Sequence, residues 1–401
     1  MNMNIYLVDL RWRGHHTPYV EYLSRYFLEQ NHQVTYVTSR ANPRVDELTC
    51  LSSLTICRVD IDPEHEISAD GIMSSIKEQT LRTRELRCIF ETIPFESADV
   101  VHFLTYDGSQ LPHALTGGLN GVSDLTVVAT LHRDMFLQQT GGGVGDYLTR
   151  MLTTFGLHFS LTRSLLDYIT VHAPSIRQRI IGGVPSATRH TVRMLPAPTP
   201  RPQRTPSVEE ARDQLEFNID TDAELILLFG ELRYEKGPDQ AFTALEQFDS
   251  EITILLAGNP IDFSETEIDS WIEATPESVT VETRLEFIPE DLVDTYLTAA
   301  DALLLPYRRQ TGISGPLRRA AFVGTPVIGP QASDIGDIIT QKQIGVTYDS
   351  NAELRTILAN VTDSISNIDE QSLDEFATSR HWRTTGRVLE QIYTQDSSNS
   401  V

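Results

Sequence analysis

Leu225-Ile226-Leu227-Leu228-Phe229-Gly230-Glu231-Leu232-Arg233-Tyr234-Glu235-Lys236-Gly237-Pro238-Asp239 is the stretch on which the fold of this chain turns. Its five leading apolar residues are too few for a helix and end at glycine, which predicts a buried strand. Gly230 opens a turn, and Gln240-Ala241-Phe242-Thr243-Ala244-Leu245 starts a helix beyond it. The turn carries Arg233 and Lys236, and Lys236 is one of only three lysines in 401 residues. A second turn, Pro306-Tyr307-Arg308-Arg309-Gln310-Thr311-Gly312-Ile313-Ser314-Gly315-Pro316, also opens a helix. Ser314 suits the N-cap and Pro316 the first helical turn, while Gly324 and Pro326 end that helix. Amide groups near Gly312 to Gly315 make a helix N-terminus suited to an anion, and a guanidinium beside an ammonium suits phosphate. The pair of turns reads as a diphosphate clamp. The plainer alternative, tight strand–helix turns with two surface cations, stays open on these residues alone.

Outward from this centre, short apolar runs alternate with helical patterns, which predicts parallel α/β sheets. The expected strands of the first half are 5–8, 34–38, 100–103, 125–130 and 168–172; those of the second are 225–229, 252–257, 302–306, 326–328 and 346–348. Between 196 and 206 five prolines forbid helix and favour an extended connector. Ser207 and Glu210 then make a capping box. The expected organisation is a first domain at 1–195, a proline-rich hinge at 196–206, a second domain at 207–378 and a terminal segment at 379–401. The tail from Phe376 to Tyr393 is helical in pattern, bears Trp382, Val388, Leu389 and Ile392, and should pack back on the first domain. Ligands of such sheets bind at the carboxyl ends of the strands, so the site is expected in a cleft between two facing domains.

The formal net charge of −24 argues against nucleic acid as a partner and against loose adsorption to anionic lipid. With arginine supplying nearly all the positive charge, it also suggests a cytoplasmic protein adapted to multimolar salt. The three cysteines fit no metal or redox spacing and read as reduced. The N-terminus runs straight into a strand pattern with no signal-peptide features, and no apolar run reaches the ~18 residues of a membrane span. Nucleophile-elbow, dinucleotide and Walker-type patterns are missing, which removes support for hydrolase, dehydrogenase and kinase readings.

The segment Phe229–Gly237 resembles the phosphate loop of group 1 (family 4) glycosyltransferases of the GT-B fold. So do Ile254-Leu255-Leu256-Ala257-Gly258, Ala300–Tyr307, Thr311–Leu317 and Ala320–Ile328, in order and at fitting spacing. The first half is consistent through Gly14-His15-His16, Asn31–Val37 and Val127–His132. The resemblance implies two Rossmann-like domains facing across a cleft, with acceptor and donor domains in that order. It implies transfer of a sugar from a nucleotide-diphosphate donor to a glycan or lipid-linked acceptor, in cell-surface glycan or glycoprotein synthesis. The expected location is cytoplasmic, with peripheral contact at the inner membrane face among the expectations.

On the same footing, Arg233 and Lys236 would hold the departing diphosphate, a role a metal ion plays elsewhere, so no metal or other cofactor is expected. His132 would face the transferred sugar. Gly14, His15 and His16 would approach donor phosphate and acceptor, Gly230 the donor, and Gln310, Thr311, Gly312, Ile313, Ser314 and Gly315 would complete the cradle. Phe287 and Ile288 are candidates for the base, and Arg11-Trp12-Arg13 for a charged acceptor. Two departures stand out: Thr311 and Arg319 occupy positions where many members carry glutamates, and Glu231 stands where many have arginine. The lost glutamates keep open a non-catalytic sugar-nucleotide or glycan-binding partner, and, more distantly, an epimerase.

Overall fold

The computed structural model describes residues 2–12, 16–62, 72–119, 121–122, 124–132, 144–199, 205–215, 223–308 and 314–394. The chain forms two compact units, Met1–Pro198 with Trp382–Val401 and Thr199–His381.

The first unit contains β1 (Asn4–Val8), β2 (Gln33–Ser39), β3 (Thr55–Val59), β4 (Val100–Phe103), β5 (Thr126–Leu131), β6 (Tyr168–Val171) and β7 (Val192–Met194). Its sheet runs β3-β2-β1-β4-β5-β6-β7, with every pair parallel. The second unit contains β8 (Leu225–Phe229), β9 (Ile252–Ala257), β10 (Val279–Arg284), β11 (Ala302–Leu304), β12 (Val327–Pro330) and β13 (Gly345–Tyr348). Its order is β10-β9-β8-β11-β12-β13, again all parallel. Both sheets reverse direction of winding beside their first strand, between β1 and β4 and between β8 and β11. In such doubly wound sheets the ligand crevice lies outside the strand carboxyl ends at that reversal.

Helices cover both faces of each sheet, so the central strands are buried on both sides and read as continuous apolar runs. β8 and β9 match the expected bounds, and both are almost wholly buried. The strands absent from the sequence expectation are β3, β7 and β10. All three sit at sheet edges, where half-exposed polar residues replace the apolar run. The helical pattern at 376–393 belongs to two helices, Glu370–Ser379 and Trp382–Thr394. The break at Arg380-His381 coincides with passage from the second unit to the first.

That last helix completes the first core. Leu389, Ile392 and Tyr393 are buried against Phe27, Val20 and Ile5, and Tyr393 reaches His102 on β4 with a 2.6 Å hydrogen bond. Gly386 makes the approach possible, because an added Cβ would lie 2.3 Å from the Tyr26 ring. Gly386→Val should therefore destabilise the first unit by about 1–3 kcal/mol through overpacking, read as a lower Tm.

Glu390 fixes the same helix electrostatically. It accepts hydrogen bonds from Tyr26 Oη at 2.7 Å and His32 Nε2 at 3.1 Å. The amide of Met3 donates to His32 Nδ1, so Nε2 carries the ring proton. Burial pushes the Glu390 carboxyl up, but the two donors outweigh it and hold it below the ordinary value. A depressed acid stabilises the fold above its unfolded value of about 4.3 and loses that contribution as pH falls through the folded one. Glu390→Gln should cost about 1 kcal/mol at pH 7. Thermal melts at successively lower pH should show the gap between the two proteins closing.

Candidate active site

In the second unit, the turn after β8 is built around Gly230 and Gly237, both at positive φ. The carbonyl of Pro306 would lie 2.2 Å from a Cβ at Gly237, so only glycine lets the turns after β8 and β11 meet. They are then stitched together. The Arg308 amide donates to Glu235 O at 2.9 Å, and the Arg308 guanidinium grips the Asp239 carboxylate and the Tyr234 carbonyl. Arg308 also stacks over the Tyr234 ring at 4.2 Å. Arg308 is thus a fastener between the two turns.

Lys236 lies inside this junction. A Cβ placed on Gly230 would sit 3.0 Å from Lys236 Nζ and 3.9 Å from Pro316 Cγ. The ammonium therefore lies over Gly230, beside the first turn of the helix Gly315–Val323, and 6.0 Å from the Tyr307 ring centre. No carboxylate of the described residues lies within ion-pair distance of it. Burial pushes its pKa below the ordinary lysine value; Arg233 pushes the same way, while Glu231 and Glu235 oppose. A half-buried cation with no ion-pair partner among the described residues, at the winding reversal of a parallel sheet, is electrostatically prepared for an anion.

Arg233 is placed differently. Its Nε donates to Glu231 at 2.8 Å, and that hydrogen bond raises its pKa against the opposing pull of burial. The guanidinium is half-exposed and already paired. Ser314 caps the helix by backbone geometry alone, and its hydroxyl pairs with buried Tyr307 at 3.1 Å. Burial pushes that phenol up to about 12. Gly315 follows as the first helical residue, whereas Gln310, Thr311, Gly312 and Ile313 lie outside the described residues. Arg319 is bound to Asp294 at 2.8 Å and to Glu290, which makes it a tie to the helix Val293–Ala299. Ile288 belongs to the core, while Phe287 is largely exposed.

In the first unit, Gly14 and His15 lie outside the described residues. His16 begins the first helix, and its Nδ1 donates to the Asp9 carboxylate at 2.8 Å. Asp9, just beyond β1, also accepts from the Arg11 amide at 3.0 Å and the Thr105 hydroxyl at 3.2 Å. It is almost fully buried. The sequence reading passed over Asp9; the signal was a carboxylate closing an apolar strand. His132 follows β5. Its Nε2 donates to Leu104 O at 2.8 Å and its amide to Asp107 at 3.1 Å. Its ring stands 5.1 Å from that of His172, beyond β6. The strand ends of this unit thus carry a buried-acid–histidine pair and two further histidines. Trp12 is buried and Arg11 lines a pocket with Asp9, Arg82 and Glu85, while Arg13 lies outside the described residues. Among the described residues no His, Cys, Asp or Glu cluster is arranged to hold a metal ion.

Two all-parallel, doubly wound α/β units make this a GT-B fold. More narrowly, residues 209–376 match the family model of glycosyl transferases group 1, so the second unit is a group 1 glycosyltransferase domain. No curated protein sequence matches the chain. Among solved structures it is similar to sucrose-phosphate synthase from Thermosynechococcus elongatus, at 15% identity and TM-score 0.72, covering 100% of both chains. It is similar also to Anabaena HepE in complex with UDP-glucose, at 13% identity and TM-score 0.66, covering 99% of this chain and 100% of that one. The N-terminal domain of Candida albicans trehalose-6-phosphate phosphatase gives 13% identity and TM-score 0.66, with 98% of each chain covered.

Proposed function

We propose that the second unit binds a nucleoside-diphosphate sugar with its diphosphate on Lys236. The sugar then passes to a glycan or lipid-linked acceptor in cell-surface glycan or glycoprotein synthesis, on the cytoplasmic side of the membrane. The observation that carries this reading is the Lys236 ammonium, held over Gly230 beside the helix Gly315–Val323. As the bond between sugar and phosphate breaks, negative charge gathers on the leaving diphosphate, and a fixed cation there lowers the barrier. Arg233 joins by exchanging Glu231 for phosphate. Gly230 and the amides at Ser314 and Gly315 line the same cradle, and Gln310, Thr311, Gly312 and Ile313 are assigned to the same donor role. Gly14, His15 and His16 serve the acceptor side, where Asp9 fixes the imidazole of His16, and His132 faces the transferred sugar. No metal is needed in this scheme, so transfer should survive EDTA.

The Anabaena neighbour is a complex with UDP-glucose, which makes that donor the first to try. The test is a panel of sugar nucleotides in multimolar KCl, scored by rise in Tm and by nucleoside diphosphate released with an acceptor extract. A rise with release supports the transferase. A rise with no release from any donor supports the non-catalytic binding partner, which the tying of Arg319 into structural ion pairs keeps in view. Isomerised donor without acceptor would point to an epimerase.

A further inference from the structure

A cavity of about 530 Å³ opens in the first unit where β2 and β3 end beside the helix Ile72–Thr92. That volume is in the range of small-molecule sites. Leu81, Glu85 and Cys88 form one stripe of the helix and wall the cavity, together with Ile61 beyond β3. The rim is charged: Arg40 and Asp60 pair loosely at 3.7 Å, with Asp62 and Arg84 exposed beside them. The next stripe of the same helix, Arg82, Glu85 and Ile89, borders a second recess of about 30 Å³ with Asp9, Arg11 and Thr105. That recess has room for about one water molecule or hydroxyl group. Glu85 is the wall the two spaces share, and it is only 3% exposed. Its Oε2 accepts from Arg82 Nη1 at 2.9 Å, while Oε1 has no hydrogen-bond partner among the described residues. A buried carboxylate oxygen left in that state is costly and calls for a donor. Burial also pushes the Glu85 carboxyl up, against the pull of Arg82, so a donor arriving at Oε1 stabilises the charged form.

We propose that the larger cavity holds a neutral pyranose ring of the acceptor, with one ring hydroxyl donating to Glu85 Oε1. This names the acceptor's chemistry and rests on the transferase reading above. Charge selects the occupant. Arg82 matches Glu85, and on the rim two guanidinium groups face two carboxylates. A uronate, a phosphate or an amine would surrender its water there without gaining a counter-charge. The lining selects further. A pyranose has a face of C–H groups and an edge of hydroxyls that both donate and accept. Ile61, Leu81 and Cys88 suit the face, and the alternating guanidinium and carboxylate groups suit the edge. Position decides which ring is held. The recess behind Glu85 reaches Asp9, which fixes His16 on the acceptor side. The cavity itself lies at β2 and β3, roughly 5–10 Å from β1 at ordinary strand spacing. The ring bound there is therefore a unit behind the one that reacts, and the acceptor carries at least two sugars.

The experiment is ligand-observed NMR of the full chain in multimolar KCl with neutral disaccharides of glucose, galactose, mannose and N-acetylglucosamine. Counterparts containing glucuronate or glucosamine serve as charged comparators. Two variants accompany wild type. Glu85→Gln keeps the shape and removes the carboxylate; Ala41→Trp, at an exposed position of the lining, fills the cavity without touching Glu85. At least one neutral disaccharide should bind wild type in preference to every charged one. Glu85→Gln should weaken that binding by about tenfold or more, the loss typical of one hydrogen bond to a charged group. Ala41→Trp should abolish it. Melting temperatures near that of wild type show that the variants are folded; if Glu85→Gln melts early, Ala41→Trp decides alone. No binding of any neutral disaccharide, preference for a charged one, or undiminished binding to Ala41→Trp overturns the proposal. Sugar binding without a UDP-induced rise in Tm leaves the subsite standing and counts against the donor reading instead.

Discussion

Lys236→Ala should lower sugar transfer by about 10²-fold or more while leaving the protein folded, the size typical of losing one preorganised contact to a developing anion. Folding should be spared because the lysine holds nothing together. It has no ion-pair partner among the described residues, and burial makes its charge a cost to the native state. Because burial depresses its pKa, the ammonium loses its proton at lower pH than an ordinary lysine. Stability should accordingly rise slightly with pH through that depressed value, since the unfolded chain then binds the extra proton. Transfer should decline over the same alkaline window. Steady-state rates and melting curves of the variant at pH 7 and in alkaline buffer check both halves.

Gly258→Ala should strongly destabilise the second unit. Gly258 follows β9 at φ 149°, and an added Cβ would fall 1.9 Å from the carbonyl oxygen of Gly230. No rotamer relieves a clash with backbone, so either β8 or β9 must move at its carboxyl end. Strain of this kind costs about 3 kcal/mol, which for a unit of this size is a fall in Tm of roughly 6–12 °C. The same displacement shifts Gly230, the platform under Lys236, so affinity for a nucleoside diphosphate should fall as well. Calorimetry with and without UDP separates the two effects. A variant with unchanged Tm and unchanged UDP response would show that the close approach of β8 and β9 does not govern the site.

What the sequence disclosed follows from what each residue does by itself. β8 and β9 are unbroken apolar runs because both their faces are covered, and a lysine in an arginine-based protein is visible without any structure. The Ser207–Glu210 capping box is a local pairing and forms as expected. Edge strands such as Thr55–Val59 escaped because exposure dilutes the apolar signal. The Asp9–His16 pair escaped because it depends on a turn bringing strand end to helix start. In the sequence Arg308 is one more cation of the second turn, and Arg319 stands where many relatives carry a glutamate. Only their partners, Asp239 for one and Asp294 with Glu290 for the other, reveal fasteners, and those partners lie far off in sequence.

The most direct measurement is calorimetric titration of UDP and of uridine into wild type and Lys236→Ala in high salt. If the ammonium over Gly230 grips the diphosphate, wild type prefers UDP to uridine strongly and the variant loses most of that preference, with uridine affinity unchanged. Equal preference in both proteins would contradict the account.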